Sequence, residues 1–98
     1  MKAKNAQEVI RFEDIPNVGK AMTKDFLLLG IKNPKDLKNK DAFVLYKKLC
    51  KISGALQDPC VLDTYMAVID FMNGAPARPW WFYTKERKKK YPDLGKRC

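Results

Sequence analysis

Histidine is absent from this chain of 98 residues, and cysteine is scarce. The three cysteines, Cys50, Cys60 and Cys98, are odd in number and include no C-x-x-C spacing. A structural zinc site or an iron–sulfur cluster takes about four ligands of these kinds. The chain alone therefore offers no such site, and we expect no metal, no other cofactor and no small-molecule substrate. The cysteines themselves we expect to be reduced.

Long apolar runs are also missing. No stretch approaches the roughly 20 apolar residues that a membrane-spanning helix needs. Residues 1–9 are too polar for the hydrophobic region of a secretory signal. We therefore expect a cytoplasmic protein without a membrane partner, and its length allows one domain with a modest core.

Acidic residues are too few to balance the basic ones. Twenty lysines and arginines outnumber eleven aspartates and glutamates, which gives a net charge of +9. Such an excess attracts polyanions, including nucleic acid. Residues 85–98 alone hold seven basic and two acidic side chains. We therefore divide the chain into a folded domain, residues 1–84, and a basic C-terminal tail, residues 85–98.

Helical periodicity and capping residues predict an all-α fold, a compact bundle of five helices. Asn, Asp and Pro stand where helices would begin, and Gly stands where several would end. The segment Ala75–Pro79 contains two prolines and predicts an extended crossing of the surface. The five predicted helices span residues 6–13, 20–29, 34–37, 41–52 and 60–73.

The stretch Ile15–Ala21 predicts a tight hairpin between two helices, the second of which begins without a side-chain cap. Pro16 disfavours helix at the residue before it, and Asn17 tolerates a positive φ. Gly19 occupies the N-cap position but has no side-chain acceptor. The first amides of the following helix therefore lack a partner, and the positive end of the helix dipole lies behind them. An anion is the natural ligand.

This hairpin resembles the helix-hairpin-helix motif, which binds nucleic-acid phosphate through backbone amides and usually has glycine where this chain has Asn17. The chain also resembles the pathogenicity locus family of small helix-hairpin-helix proteins, some of which are labelled mitomycin resistance proteins. That resemblance runs from about Phe12 to Arg87 and includes the hairpin, residues 58–63 and residues 79–84. It implies a bacterial helical protein and says little about biochemical role.

The order of the predicted helices resembles two helix-hairpin-helix units packed about a pseudo-two-fold axis. The second hairpin is degenerate, because Asp58 stands at its helix start where the first hairpin has Gly19. A carboxylate there would occupy the free amides and repel a phosphate. We therefore expect only the first hairpin to bind DNA.

The leading functional hypothesis is a non-catalytic, largely sequence-independent DNA-binding module, an accessory in DNA repair or damage resistance. Without histidine, Cys60 has no general base, and the chain is too short for the second lobe that encloses a flipped base in DNA glycosylases. The candidate phosphate-binding residues are Asn17, Val18, Gly19, Lys20, Ala21 and Lys24. Additional nucleic-acid contacts are assigned to Arg78, Arg87, Lys88 and Lys89.

Four consecutive aromatic residues, Trp80–Tyr83, allow two interpretations. They could stack on unpaired bases, or they could seal the helical core. We expect Trp80 and Trp81 to lie wholly or partly in the core, because a small domain needs their area. Arg78 would then pair with Asp63 or Asp70, or stack on an indole. The alternative function is a protein-protein interaction module in which the hairpin is only structural.

Overall fold

The computed structural model describes residues 2–94, and all regular structure in this range is helical. It contains four α-helices: α1 (Lys20–Leu28), α2 (Ala42–Ser53), α3 (Pro59–Met72) and α4 (Thr84–Lys90). Short 3₁₀ turns lie at Ala6–Glu8, Phe12–Asp14, Pro34–Leu37, Trp80–Tyr83 and Pro92–Leu94. The all-α prediction is confirmed, whereas the described residues form four α-helices rather than the predicted five.

Helix α3 lies at the centre of the core. Most of its residues are buried, on nearly every side of the helix. The α2 and α4 helices and the 3₁₀ turns at Pro34–Leu37 and Trp80–Tyr83 pack against it. The rings of Phe12, Phe26 and Tyr65 follow one another at centroid distances of 5.5 and 5.4 Å, which joins the N-terminal segment and α1 to α3.

Two predicted helix starts have the expected side-chain caps. Asn33 Oδ1 accepts the amide of Lys35 at 3.1 Å. Asp41 Oδ1 accepts the amides of the second and third residues of α2, at 2.9 and 3.1 Å. Local chemistry therefore sets where these two segments begin.

The predicted helix over residues 6–13 is wrong. Asn5 does cap a turn, accepting the amide of Glu8 at 3.1 Å, but this turn is a short 3₁₀ helix. The chain then extends, because the carboxylate of Asp14 accepts the amides of Ile10 and Arg11 at 3.0 and 2.9 Å and starts a second turn. The segment before the hairpin is thus two 3₁₀ turns, not an α-helix.

The role predicted for Asp58 is also wrong. It is the N-cap residue of α3, but its side chain makes no capping hydrogen bond to the helix amides. Pro59 follows at the first helical position and removes one of the amide donors that a cap would satisfy. The start of α3 therefore differs from that of α1 by its proline rather than by a carboxylate on the amides.

The expectation of three reduced cysteines fails at Cys60, which is disulfide-bonded. Cys50 is a free, half-buried thiol. Cys98 is one of the last four residues of the predicted basic tail, 95–98, which lie outside the described residues.

A buried ion pair fixes α4 on α3. Arg87 Nε donates to Asp63 Oδ1 at 2.8 Å, and both side chains are fully buried. The hydroxyl of Thr84 donates to Asp63 Oδ2 at 2.7 Å. The first residues of the predicted basic tail are therefore a helix whose inner face is part of the fold. Over the described range, no helix is long and apolar enough to cross a membrane.

Candidate nucleic-acid interface

The hairpin turns at Pro16 and Asn17 and is anchored in the core on both sides. The amide of Val18 donates to the carbonyl oxygen of Ile15 at 3.1 Å, and both of these side chains are buried. Asn17 has a φ of 75°, the left-handed conformation that the sequence predicted. The Val18 amide is used inside the turn, so it is not a donor for an external ligand.

Helix α1 begins with open backbone donors. Gly19 is its N-cap residue, with extended backbone and no side-chain cap. Over residues 2–94, we find no intramolecular acceptor for the amides of Gly19, Lys20, Ala21 and Met22. Gly19, Lys20 and Ala21 are exposed. The uncapped helix start is thus present as predicted, at residues that are mostly exposed to solvent.

Lysines surround this helix start. Lys20 and Lys24 are both exposed and lie one turn apart on α1. Lys2 Nζ donates to the carbonyl oxygens of Val18 and Glu13, at 2.5 and 2.7 Å, which places a third cation beside the hairpin. The position of Lys2 could not be predicted from the sequence, because the polar N-terminus has no pattern that fixes it.

Carboxylates also lie near the hairpin. Glu13 Oε2 accepts the hydroxyl of Thr23 on α1 at 2.6 Å. The amides of Arg11 and Ile10 donate to Asp14 and lower the pKa of its carboxyl group. The Asp14 bonds therefore stabilise the turn before the hairpin at neutral pH, and this contribution is lost in acid as the pH falls through the lowered pKa.

Asn17 joins the hairpin to the segment that precedes the aromatic residues. Its Nδ2 donates to the carbonyl oxygen of Arg78 at 2.7 Å, and the amide of Trp80 donates to its Oδ1 at 3.3 Å. Glycine, the usual residue at this position of the resembled motif, has no side chain to make these bonds. Asn17 therefore has a structural role, bonding the hairpin to the segment at Arg78 and Trp80, which could not be predicted from the sequence.

The aromatic residues divide between core and surface. Tyr83 is buried and Trp80 is half-buried, but Trp81 is 64% exposed and Phe82 58% exposed. The prediction that both tryptophans lie in the core is therefore wrong for Trp81. The chain turns through a 3₁₀ helix here, so neighbouring rings point in different directions and Tyr83 takes the inward position.

Arg78 links this aromatic turn to α3 indirectly. Its guanidinium lies 4.7 Å from the ring centroid of Phe82, not over an indole, and Nη1 donates to the hydroxyl of Tyr83 at 3.3 Å. That hydroxyl donates to Asp70 Oδ2 at 2.9 Å, and burial raises the pKa of Tyr83. The predicted partner Asp70 is thus reached through a tyrosine.

The basic candidates near the C-terminus differ in exposure. Lys88 and Lys89 are exposed on α4, whereas the Arg87 side chain is fully buried against Asp63. Arg87 therefore cannot touch a nucleic acid without leaving the core, and we remove it from the candidate contacts. Over the described range, no three His, Cys, Asp or Glu residues are grouped so that they could hold a metal ion.

The sequence was compared with protein families, with curated proteins and with solved structures. A family model described as pathogenicity locus (Cdd1) matches residues 5–89. A mitomycin resistance protein, McrB, from Streptomyces lavendulae is 42% identical over 73 residues, which cover 74% of this chain and 70% of that protein. No solved structure matches the chain significantly. The family model spans most of the chain, including the hairpin and the aromatic turn, and the chain therefore belongs to the pathogenicity locus family.

Proposed function

We propose that this protein is a non-catalytic DNA-binding module of helix-hairpin-helix type that grips a backbone phosphate without strong sequence preference. The ligand atoms would be the non-bridging phosphate oxygens. Their partners are the amides of Gly19, Lys20, Ala21 and Met22, with charge supplied by Lys20 and Lys24. Contacts of this kind position a protein on DNA but read no bases.

The uncapped start of α1 is the observation that carries this proposal. Among the described α-helices, only α2 has its first amides capped by a side chain, that of Asp41. Helix α3 begins with the buried Pro59, and α4 continues from the 3₁₀ turn at Trp80–Tyr83. At α1 the amides are left open, and Gly19, Lys20 and Ala21, which carry three of them, are exposed residues. An anion stabilises such a terminus through hydrogen bonds and through the helix dipole. The net charge of +9 favours a polyanion over a single small anion.

The likeness to the Streptomyces lavendulae protein bears on the process in which the proposed module would act. That protein is named for mitomycin resistance. With this likeness as support, we propose that the module is an accessory protein in DNA repair or damage resistance.

Charge reversal at α1 tests the proposal. The variant Lys20→Glu/Lys24→Glu should bind a short duplex more weakly than the wild-type protein does, since its side chains repel the phosphate. If both lysines contact phosphates, the slope of log affinity against log salt falls by about 2. Fluorescence anisotropy with a labelled duplex at several salt concentrations measures both quantities.

The matched control is Lys47→Glu/Lys51→Glu on α2. These lysines are exposed and also lie one turn apart, so the change in net charge is the same. An equal loss of affinity in both double variants would mean that only overall charge attracts DNA. That result would remove the hairpin from the proposal.

A second candidate, the protein-protein interaction module, is favoured by exposed apolar side chains on and near α1 and α2. These five residues are Leu27, Leu28, Val44, Ile52 and Leu56. A partner protein would cover them without using the α1 amides. If neither duplex nor single-stranded DNA binds at low salt, this candidate becomes the working account.

A further inference from the structure

Two large aromatic rings are left at the surface beside the hairpin. Trp81 and Phe82 are 64% and 58% exposed, although this domain has few residues with which to build a core. The Trp80 ring lies nearly perpendicular to that of Trp81, with centroids 5.6 Å apart. In this geometry Trp80 covers at most one face of the Trp81 indole. The exposed indole surface is available for stacking on a flat ring.

Basic residues continue from these rings along the outer face of α4. The aromatic turn runs directly into α4, so the two form one helical path. Lys85 and Lys88 lie three residues apart on α4, shortly after Trp81, and both are exposed. The inner side of the same path is buried. We define the stacking surface by its exposed residues, Trp81, Phe82, Lys85 and Lys88.

The segment that leads into the stacking surface is bonded to the hairpin before α1. The backbone amide of Trp80, one residue before Trp81, is bonded to the side chain of Asn17 at 3.3 Å. The carbonyl oxygen of Arg78 accepts a second bond from the same side chain at 2.7 Å. Asn17 itself lies two residues before Gly19. The backbone of the aromatic turn is therefore bonded to the hairpin residue that lies two positions before the open helix start.

We propose that the DNA bound by this module is single-stranded, with an unpaired base stacked on Trp81 and its phosphates along α1 and the lysines of the stacking surface. This inference rests on the proposed function for the phosphate contact at α1. Aromatic rings interspersed with cations are the pattern by which proteins hold single strands, because every base offers a flat face and every linkage a charge. In a duplex, the faces of internal bases are covered by their neighbours.

Removing the Trp81 ring tests this assignment. The probes are fluorescently labelled oligo-dT and a blunt duplex of the same length, and the readout is anisotropy. Trp81→Ala should lower affinity for oligo-dT about tenfold, the usual size of one base–aromatic stack, while affinity for the duplex stays the same. Leu56→Ala is the control, because Leu56 is also a large exposed apolar residue, 78% exposed, but lies in the loop between α2 and α3.

Tryptophan fluorescence supplies a second readout. The chain has two tryptophans, so Trp80→Phe leaves Trp81 as the single reporter. Oligo-dT should quench its emission at the concentrations at which anisotropy shows binding. Binding without quenching would overturn the stacked base.

The failure of this inference can be told from failure of the phosphate contact. If Trp81→Ala leaves oligo-dT affinity unchanged while Lys20→Glu/Lys24→Glu lowers it, stacking is overturned and the hairpin contact stands. If the aromatic variant loses affinity and the lysine variant does not, stacking is supported and the hairpin contact fails. Tighter binding to oligo-rU than to oligo-dT would overturn the assignment to DNA.

Discussion

At the scale of single residues, Arg87 has the environment that the sequence least suggests. It lies within a strongly basic run, between residues that are exposed, yet its own side chain is fully buried. Composition gives each member of such a run the same expectation of a solvated surface. Only the helical register of α4, set by packing on α3, decides that Arg87 faces Asp63.

Loss of this guanidinium should destabilise the fold strongly. We expect Arg87→Met to lower the free energy of unfolding by about 3–5 kcal/mol, because Asp63 is left buried without its counter-charge. Urea unfolding followed by circular dichroism measures the change. The control is Lys88→Met at the exposed neighbour, which should change stability by no more than about 0.5 kcal/mol.

Replacing both partners separates charge from packing. In Asp63→Leu/Arg87→Met the uncompensated charge is gone, so this variant should be more stable than Arg87→Met alone. If Arg87→Met is as stable as Lys88→Met, the buried pair does not hold α4 in solution.

At the scale of elements, capping residues made some boundaries predictable. Asn33 and Asp41 cap the segments that they were expected to begin. The same reasoning failed over residues 6–13. There the carboxylate of Asp14 binds the backbone amides of Ile10 and Arg11, and this local competition outweighs a short helix with few packed residues. A pattern of capping residues shows where a turn can start, but not how long the helix continues.

At the N-terminus of α1, a substitution that stabilises the helix should weaken DNA binding. Gly19 has extended backbone that any residue adopts, and no atom lies within 4 Å of a side-chain carbon added there. Gly19→Asp should stabilise α1 by a few tenths of a kcal/mol, since its carboxylate would cap the open amides. The same carboxylate should lower DNA affinity about tenfold, because it occupies the donors and repels phosphate.

Thermal unfolding and DNA anisotropy on the same protein samples measure these two effects. Gly19→Ala is the comparison, because alanine brings no acceptor and leaves the amides open. Full DNA affinity in Gly19→Asp, with the expected gain in stability, would show that the amides do not contact DNA.

At the scale of the whole molecule, the candidate site combines local and distant parts of the chain. The hairpin could be predicted, because proline, a positive-φ asparagine and an N-cap glycine act within five residues. The position of the aromatic turn could not be predicted from the sequence. Asn17 contacts Arg78 and Trp80 across 61 and 63 residues of sequence, and such pairings have no local signature.

The net charge of +9 also acts at this scale, since it draws any polyanion to any basic surface. Affinity alone therefore does not identify the contact. A measurement that reports on individual backbone amides identifies which of them contact the DNA.

The phosphate contact at the start of α1 is tested most directly by titrating the isotope-labelled protein with short single-stranded DNA. The backbone amide signals are followed at low and at moderate salt. We expect the largest shifts at Gly19, Lys20, Ala21 and Met22, and smaller shifts at the higher salt concentration. A spectrum in which these amides stay unchanged while DNA binds elsewhere would contradict the phosphate contact at α1.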